Sequence, residues 1–255
     1  MILLKKGDIV SRKSHNNDII FCIEAIFKDK NLVILKGVIV RIEADSSIDD
    51  LMLVDETRIN AVVNHVENII NLKSERKYNK YGKILHLDGD KGYSQKTEQY
   101  YRKRGLNYVV KHVSERMQPE IVVSLLEETK PDILVVTGHD GMIRKGRNYN
   151  DINNYRNSKY FIRTVRMARL YNHDKNDLII FAGACQSFYE ALISVGANFA
   201  SSPARILIDF VDPLIVAEKI SITDKNRIVF MSDLEKEIRN GRKAIGGIGA
   251  KGKSL

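Results

Sequence analysis

Two apolar runs in this chain stop abruptly on small residues, and each then presents a side chain able to move a proton or attack a carbonyl. The first, Asp132-Ile133-Leu134-Val135-Val136, passes into Thr137-Gly138-His139-Asp140-Gly141; the second, Asp177-Leu178-Ile179-Ile180-Phe181, passes into Ala182-Gly183-Ala184-Cys185-Gln186-Ser187. A thiol and an imidazole brought together form a nucleophile with its general base. The sulfur attacks an acyl carbon, and the imidazole takes the thiol proton and returns it to the leaving amine. Cys185 follows His139 by 46 residues, room for one crossover helix and its loops. His173 is a weaker candidate base, because its Asn172-His173-Asp174 turn precedes the second run and so falls at the opposite sheet edge. No histidine follows Cys185, which excludes the cysteine-then-histidine order of glutamine amidotransferases. Cys22 lies inside an apolar run and is expected to pack as a small core residue.

Short, continuous apolar runs bounded by turn residues are what strands buried on both faces of a parallel sheet require. Residues 83–240 alternate in this way. Strands are expected over Ile84–Leu87, Asn107–His112, Ile133–Val136, Leu178–Phe181 and Asn198–Ala200. Helices are expected over Gln95–Arg104, Pro119–Glu128, Lys159–Tyr171, Phe188–Val195 and Pro213–Ile220. The succession predicts an α/β, doubly wound, mainly parallel sheet flanked by helices. Its carboxyl edge, where such folds bind ligands, would carry both His139 and Cys185, with the thiol near a helix N-terminus that favours thiolate.

Ahead of this unit, residues 1–57 read as short strands over Asp8–Val10, Asp18–Phe27, Leu32–Leu35 and Gly37–Ile42. Turn chemistry at His15-Asn16-Asn17-Asp18 and Lys28-Asp29-Lys30-Asn31 separates them, predicting a small antiparallel, SH3-like barrel. Residues 58–82 form an amphipathic helix over Arg58–Leu72 and a polar linker. Residues 241–255 read as a basic, glycine-rich, disordered tail; no helix follows its glycines, so it is not a phosphate-binding loop.

The chain has 41 Lys and Arg against 32 Asp and Glu, a formal charge of +9. That surplus admits a rival reading, a non-enzymatic basic protein that binds nucleic acid or an anionic polymer. The arginines of Arg163–Arg169 fall on mixed helix faces without an aromatic stacking platform, which disfavours it. Two distant cysteines suit a reducing compartment and form no metal-like pair. No apolar run approaches the roughly 20 residues of a membrane span, and Met1–Leu4 is too short for a signal sequence. Neither a cofactor nor a metal is expected.

A strand ending in His-x-Gly followed by one ending in Ala-Cys resembles the caspase-like, clan CD cysteine peptidases, whose histidine precedes the cysteine by about 50 residues. More narrowly, Gly7-Asp8-Ile9-Val10-Ser11-Arg12-Lys13-Ser14, Leu87-Asp88-Gly89-Asp90, Thr137-Gly138-His139-Asp140-Gly141 and Gly183-Ala184-Cys185-Gln186-Ser187 are similar to the YabG family of sporulation-specific proteases, over nearly the full length. The resemblance implies a caspase-like fold and a cysteine endopeptidase of a spore-forming bacterium. It would cut spore-coat or germination proteins after basic residues, in the mother-cell cytoplasm or at the forming spore and its coat. It implies Cys185 as nucleophile, His139 as base and acid, and an oxyanion hole from the N–H of Cys185 with that of Asp140 or Gly141. Arginine-cleaving relatives place an acidic residue where this chain has Gly183, so the carboxylate that receives a basic side chain must come from Asp88, Asp90, Asp209 or Asp212. Asp90 is preferred, being further out on the loop that leaves the same sheet edge. Self-processing is expected at the exposed Arg76-Lys77 linker and the basic tail.

Overall fold

The computed structural model describes residues 4–71, 80–143 and 148–255. Near the N-terminus, β1 (Ile9–Arg12), β2 (Phe21–Phe27), β3 (Leu32–Gly37), β4 (Glu43–Ser46) and β5 (Leu51–Leu53) form one antiparallel sheet in the order β4-β3-β2-β1-β5. Alternate residues point inward, so Phe21, Ile23, Val33 and Leu35 are fully buried. Asn16, Asn17 and Asn31 take the left-handed conformation at the turns, as their short polar side chains allow. β4 and β5 end the order without pairing with each other, so no hydrogen-bonded seam closes a barrel among the described residues. Cys22 is half-buried rather than deep in the core.

The strand expected over Gly37–Ile42 does not form. Residues 38–42 are instead the turn between β3 and β4. A Cβ on Gly37 would collide with the Val40 carbonyl, so glycine is what lets the chain fold back this tightly.

Helix α1 (Glu56–Asn71) leads away from the antiparallel sheet, burying Val66 and Ile70. The second unit then runs β6 (Ile84–Asp88), α2 (Lys91–Lys103), β7 (Tyr108–His112), α3 (Gln118–Thr129), β8 (Ile133–Thr137), α4 (Ser158–Tyr171), β9 (Ile179–Ala182), α5 (Tyr189–Ser194), β10 (Phe199–Ser201), α6 (Asp212–Ile222), β11 (Ile228–Val229), α7 (Met231–Leu234), β12 (Ile245–Gly247) and β13 (Ala250–Lys251). Its sheet has the order β12-β10-β9-β8-β6-β7, with all pairs parallel except β10 with β12. Strand order reverses between β6 and β8, and the carboxyl ends beside such a reversal are where open α/β sheets bind ligands. Period-two alternation sends Ile84, Ile133, Val135, Ile179 and Phe181 into a core shared with the antiparallel sheet, and Leu85, Leu87, Leu134, Val136 and Ile180 into a core under the opposite helices.

The basic, glycine-rich C-terminal segment is ordered, not a free tail. β12 lies against β10 and β13 against β11. Its glycines serve packing, because a Cβ on Gly246 would collide with the Tyr189 ring and one on Gly247 with Phe199. The Arg76-Lys77 linker lies outside the described residues. No described helix is long and apolar enough to cross a membrane.

Candidate active site

Parallel strands β8 and β9 are neighbours, so the loops that leave them carry His139 and Cys185 to the same edge of the sheet. The His139 loop is anchored from below by Glu115, whose Oε1 accepts the His139 backbone N–H at 2.8 Å. Gly89 and Gly138 make room for that carboxyl; a Cβ on either would collide with it. Burial pushes Glu115 up to about 7.

The imidazole is fully buried and stacks on Tyr93 with ring centroids 5.2 Å apart. Its Nε2 faces the Gly37 carbonyl oxygen at 3.4 Å, while Nδ1 has no partner. Burial lowers its pKa to about 4, so the ring is neutral at neutral pH. A proton on Nε2, directed at Gly37, leaves Nδ1 as the free lone pair.

The Cys185 loop turns on Gly183, at φ +109°, and on Gln186, at φ +55°. Its geometry is locked by Asp140, a buried carboxylate with four donors. Ser158 and Ser187 hydroxyls donate to Oδ2 at 2.5 and 2.8 Å; the Asn157 and Gly141 amides donate to Oδ1 at 2.8 and 2.9 Å. One side chain thus ties the histidine loop to the start of α4 and to the cysteine loop. Burial raises Asp140 to about 6 against these donors.

The thiol of Cys185 is also fully buried, and burial pushes its pKa well up. The helix start expected to favour thiolate is not adjacent, since α5 begins only at Tyr189, and desolvation outweighs the contacts that lower the thiol pKa. Sγ accepts the Ile208 N–H at 3.2 Å, and no hydrogen bond joins it to His139 among the described residues.

The β3–β4 turn lies over this edge of the sheet. The Arg41 carbonyl oxygen accepts the N–H of Asp140 at 3.1 Å and that of Cys185 at 3.2 Å. Arg41 donates its own N–H to the Ile208 carbonyl at 3.4 Å, the same oxygen that lies 3.6 Å from Sγ. Val40 bridges Asp209 in antiparallel fashion, and Phe210 N–H donates to Ile39 at 3.1 Å. On the other side Ile42 bridges Asp140, and Glu43 N–H donates to the Asp140 carbonyl at 2.9 Å. Gly141 faces the turn backbone to backbone, since a Cβ there would collide with the Glu43 carbonyl.

The Arg41 side chain enters a closed pocket at the end of β6. Nη1 meets Asp88 Oδ2 at 2.6 Å, Nη2 donates to the Phe210 carbonyl at 3.2 Å, and Cζ lies 4.7 Å from the Tyr93 ring centre. Asp88 accepts further from Thr137 Oγ1 at 3.0 Å and the Asp90 N–H at 2.9 Å. Burial works against its charge, but the Arg41 guanidinium holds it well below the usual carboxylate range.

The four expected pocket carboxylates therefore separate. Asp88 holds a guanidinium. Asp90 caps α2 by accepting the Tyr93 N–H at 2.9 Å. Asp212, raised to about 7 by burial, accepts the Asp209 N–H at 3.0 Å; both line a cavity of ≈ 480 Å³ with His65 and Arg239. Of the oxyanion candidates, the Cys185 and Asp140 amides converge on one oxygen, while the Gly141 amide is taken by Asp140 Oδ1. His173 is exposed beyond the end of α4, at the opposite edge. Sequence reasoning missed Arg41, Glu115 and Tyr93; Gly89 and Gly138, as positions of close approach, were the available signal for Glu115.

The chain matches a family model described as YabG peptidase U57 in two overlapping segments, residues 5–75 and 64–255. It is 36% identical over 274 residues to the sporulation-specific protease YabG of Bacillus subtilis (strain 168), covering 96% of this chain and 94% of that one. No solved structure matches significantly.

Proposed function

Because this chain belongs to the YabG peptidase family, we propose that it is a sporulation-specific cysteine endopeptidase that cuts proteins after arginine, with Cys185 as nucleophile and His139 as general base and acid. The observation that carries this reading is the convergence of the Asp140 and Cys185 amides on a single backbone carbonyl oxygen, with the thiol of Cys185 alongside. Two N–H groups aimed at one oxygen stabilise the charge that develops there when a nucleophile attacks, and one such donor is worth about 10²–10³ in turnover.

The protonation states favour general-base attack. Both thiol and imidazole are neutral when covered, and Nδ1 of His139 is free to take the thiol proton as Sγ bonds to the acyl carbon. The tetrahedral oxygen rests on the Asp140 and Cys185 amides. The imidazolium then protonates the leaving amine, and a water activated by the same ring hydrolyses the thioester. Asp140 acts twice, through its amide on the oxyanion and through its carboxylate on the loops.

For specificity, Asp88 is the residue we assign to the floor of the pocket, in place of Asp90. A guanidinium leaving water needs a charged acceptor, further acceptors for its remaining N–H groups and a flat face to stack on. Asp88, the Phe210 carbonyl and Tyr93 supply these. The β8 and β9 loops at a shared carboxyl edge support the caspase-like assignment of the fold. Spore-coat or germination proteins, in the mother cell or at the forming spore, are the substrates this family membership suggests.

The test is cleavage of peptides differing only in Arg, Lys, Gln or Leu at one position, with and without a thiol alkylator. Arginine-dependent cleavage blocked by the alkylator supports the reading. Cleavage that survives alkylation, or tight binding of nucleic acid without any cleavage, refutes it and favours the basic binding protein.

A further inference from the structure

We propose that the Arg41–Ile42 bond is this chain's own first substrate, cut in cis by Cys185, so that the newly folded protein carries its cleavage site already docked in its active site. This deepens, and rests on, the arginine-specific cysteine peptidase reading.

The β3–β4 turn meets every requirement of a bound substrate at once. The carbonyl to be attacked is the one held by the Asp140 and Cys185 amides. The residues before it pair antiparallel with Asp209 and Phe210, as an extended peptide does when it adds to an exposed strand. Its side chain fills the carboxylate pocket. The Arg41 N–H and the Cys185 sulfur share the Ile208 carbonyl as neighbour, which sets the thiol beside the Arg41 backbone. His139 is the residue before Asp140, which bridges Ile42, so the imidazole belongs to the loop flanking the leaving nitrogen.

Nothing in the antiparallel sheet itself explains this arginine. A β-turn of a small sheet has no need to send a guanidinium into full burial, and an ion pair there is weak support for stability compared with apolar packing. Arg41 even leaves its Nε without a partner. A recognition role accounts for the side chain, the carbonyl and the flanking backbone together.

The step balances without a co-reactant beyond water. Sγ bonds to the Arg41 carbonyl carbon as its proton passes to His139. The Arg41–Ile42 C–N bond breaks, and His139 returns the proton to the Ile42 nitrogen. Water then hydrolyses the thioester, leaving a carboxylate on Arg41 and a regenerated thiol.

The cut would not release a fragment. Val33 with Ser46, Ile34 with Asp45, Leu35 with Ala44 and Lys36 with Glu43 stay paired across it. The two pieces remain one folded body. The segment ending at Arg41 then stays tethered next to the pocket at high effective concentration, and an incoming substrate must displace it.

The wild-type and Cys185→Ala full-length chains are made by cell-free synthesis, and samples are quenched in denaturant for intact mass and N-terminal sequencing. The expected result is conversion of wild type to residues 1–41 and 42–255, with a new N-terminus at Ile42. The rate should be unchanged on hundredfold dilution, both pieces should co-elute in native size exclusion, and Cys185→Ala should stay whole. Arg41→Gln should slow cleavage at this bond at least hundredfold, and Arg41→Lys less. Should these variants misfold, the wild-type termini and dilution series decide alone. A chain that cleaves arginine peptides in trans yet stays whole at Arg41, or is cut there only in proportion to its concentration, overturns the inference and leaves the peptidase reading standing. A chain that cuts neither itself nor any arginine peptide removes both.

Discussion

Replacing Asp88 by Asn tests the charged floor of the pocket most directly. In the folded chain the Asp88 carboxylate and the Arg41 guanidinium are both without solvent exposure, at 2.6 Å. Asn keeps the shape and one acceptor but removes the charge, leaving the guanidinium buried without a counter-ion. Breaking one side of such a pair costs about 3–5 kcal/mol, which for a chain of this size lowers Tm by roughly 6–20 °C. The measurement is urea unfolding in the Cys185→Ala background, where no cleavage interferes, repeated with Arg41→Met and with both changes. The double variant should lose much less than the two single changes together. The exposed Lys6–Glu24 pair, with side chains 70% and 45% accessible, serves as the control; Glu24→Gln should cost under about 1 kcal/mol. The pH dependence follows from the depressed Asp88 carboxyl, whose contribution is present above the unfolded value of about 3.9 and lost as pH falls below it. The deficit of Asp88→Asn should therefore shrink in acid. In active enzyme the same change should lower kcat/KM for arginine peptides by about 1.5–3 kcal/mol, with Asp90→Asn affecting it less. A stability cost at Asp88 no larger than that at Glu24, with no coupling to Arg41, would refute the docked turn.

Three further outcomes are expected. Cys185→Ala and His139→Ala should each abolish peptide cleavage while circular dichroism stays unchanged, whereas Cys22→Ala, on β2 and away from the edge, should keep activity. Glu115 holds its proton to about pH 7 when folded but loses it near 4.3 when unfolded, so stability should fall as pH rises across that window, by on the order of 3 kcal/mol; Glu115→Gln, which still accepts the His139 N–H, should flatten that fall in a pH series of urea unfolding. Ser187→Ala removes a 2.8 Å hydroxyl bond to the Asp140 carboxylate and should cost about 1.5–3 kcal/mol of stability, with a loss of kcat larger than any change in KM, since it loosens the tie between the histidine and cysteine loops.

Much of this protein follows from sequence alone because the governing signals are local. Continuous apolar runs bounded by turn residues are enough to mark β6, β8 and β9, and two such runs ending on His139 and Cys185 imply a shared edge whenever the strands are parallel neighbours. The C-terminal glycines show where local reasoning stops: composition suggests mobility, but Gly246 and Gly247 sit where Tyr189 and Phe199 leave no space for a side chain. The same limit applies to Gly37–Ile42. Its β-branched residues favour a strand by propensity, yet the pairing of β3 with β4 on either side turns it into a loop, and contacts to the Asp140, Cys185 and Ile208 backbones decide its path. Asp90 and Asp88 are indistinguishable as residue types. Asp90 lies where α2 begins and is spent on capping it, while Asp88 ends a buried strand and faces inward, where an arginine from the other unit can reach it. No window of sequence contains both Arg41 and the amides that hold its carbonyl, because hydrogen bonds between distant backbones depend on how two units dock and not on the identity of any residue between them.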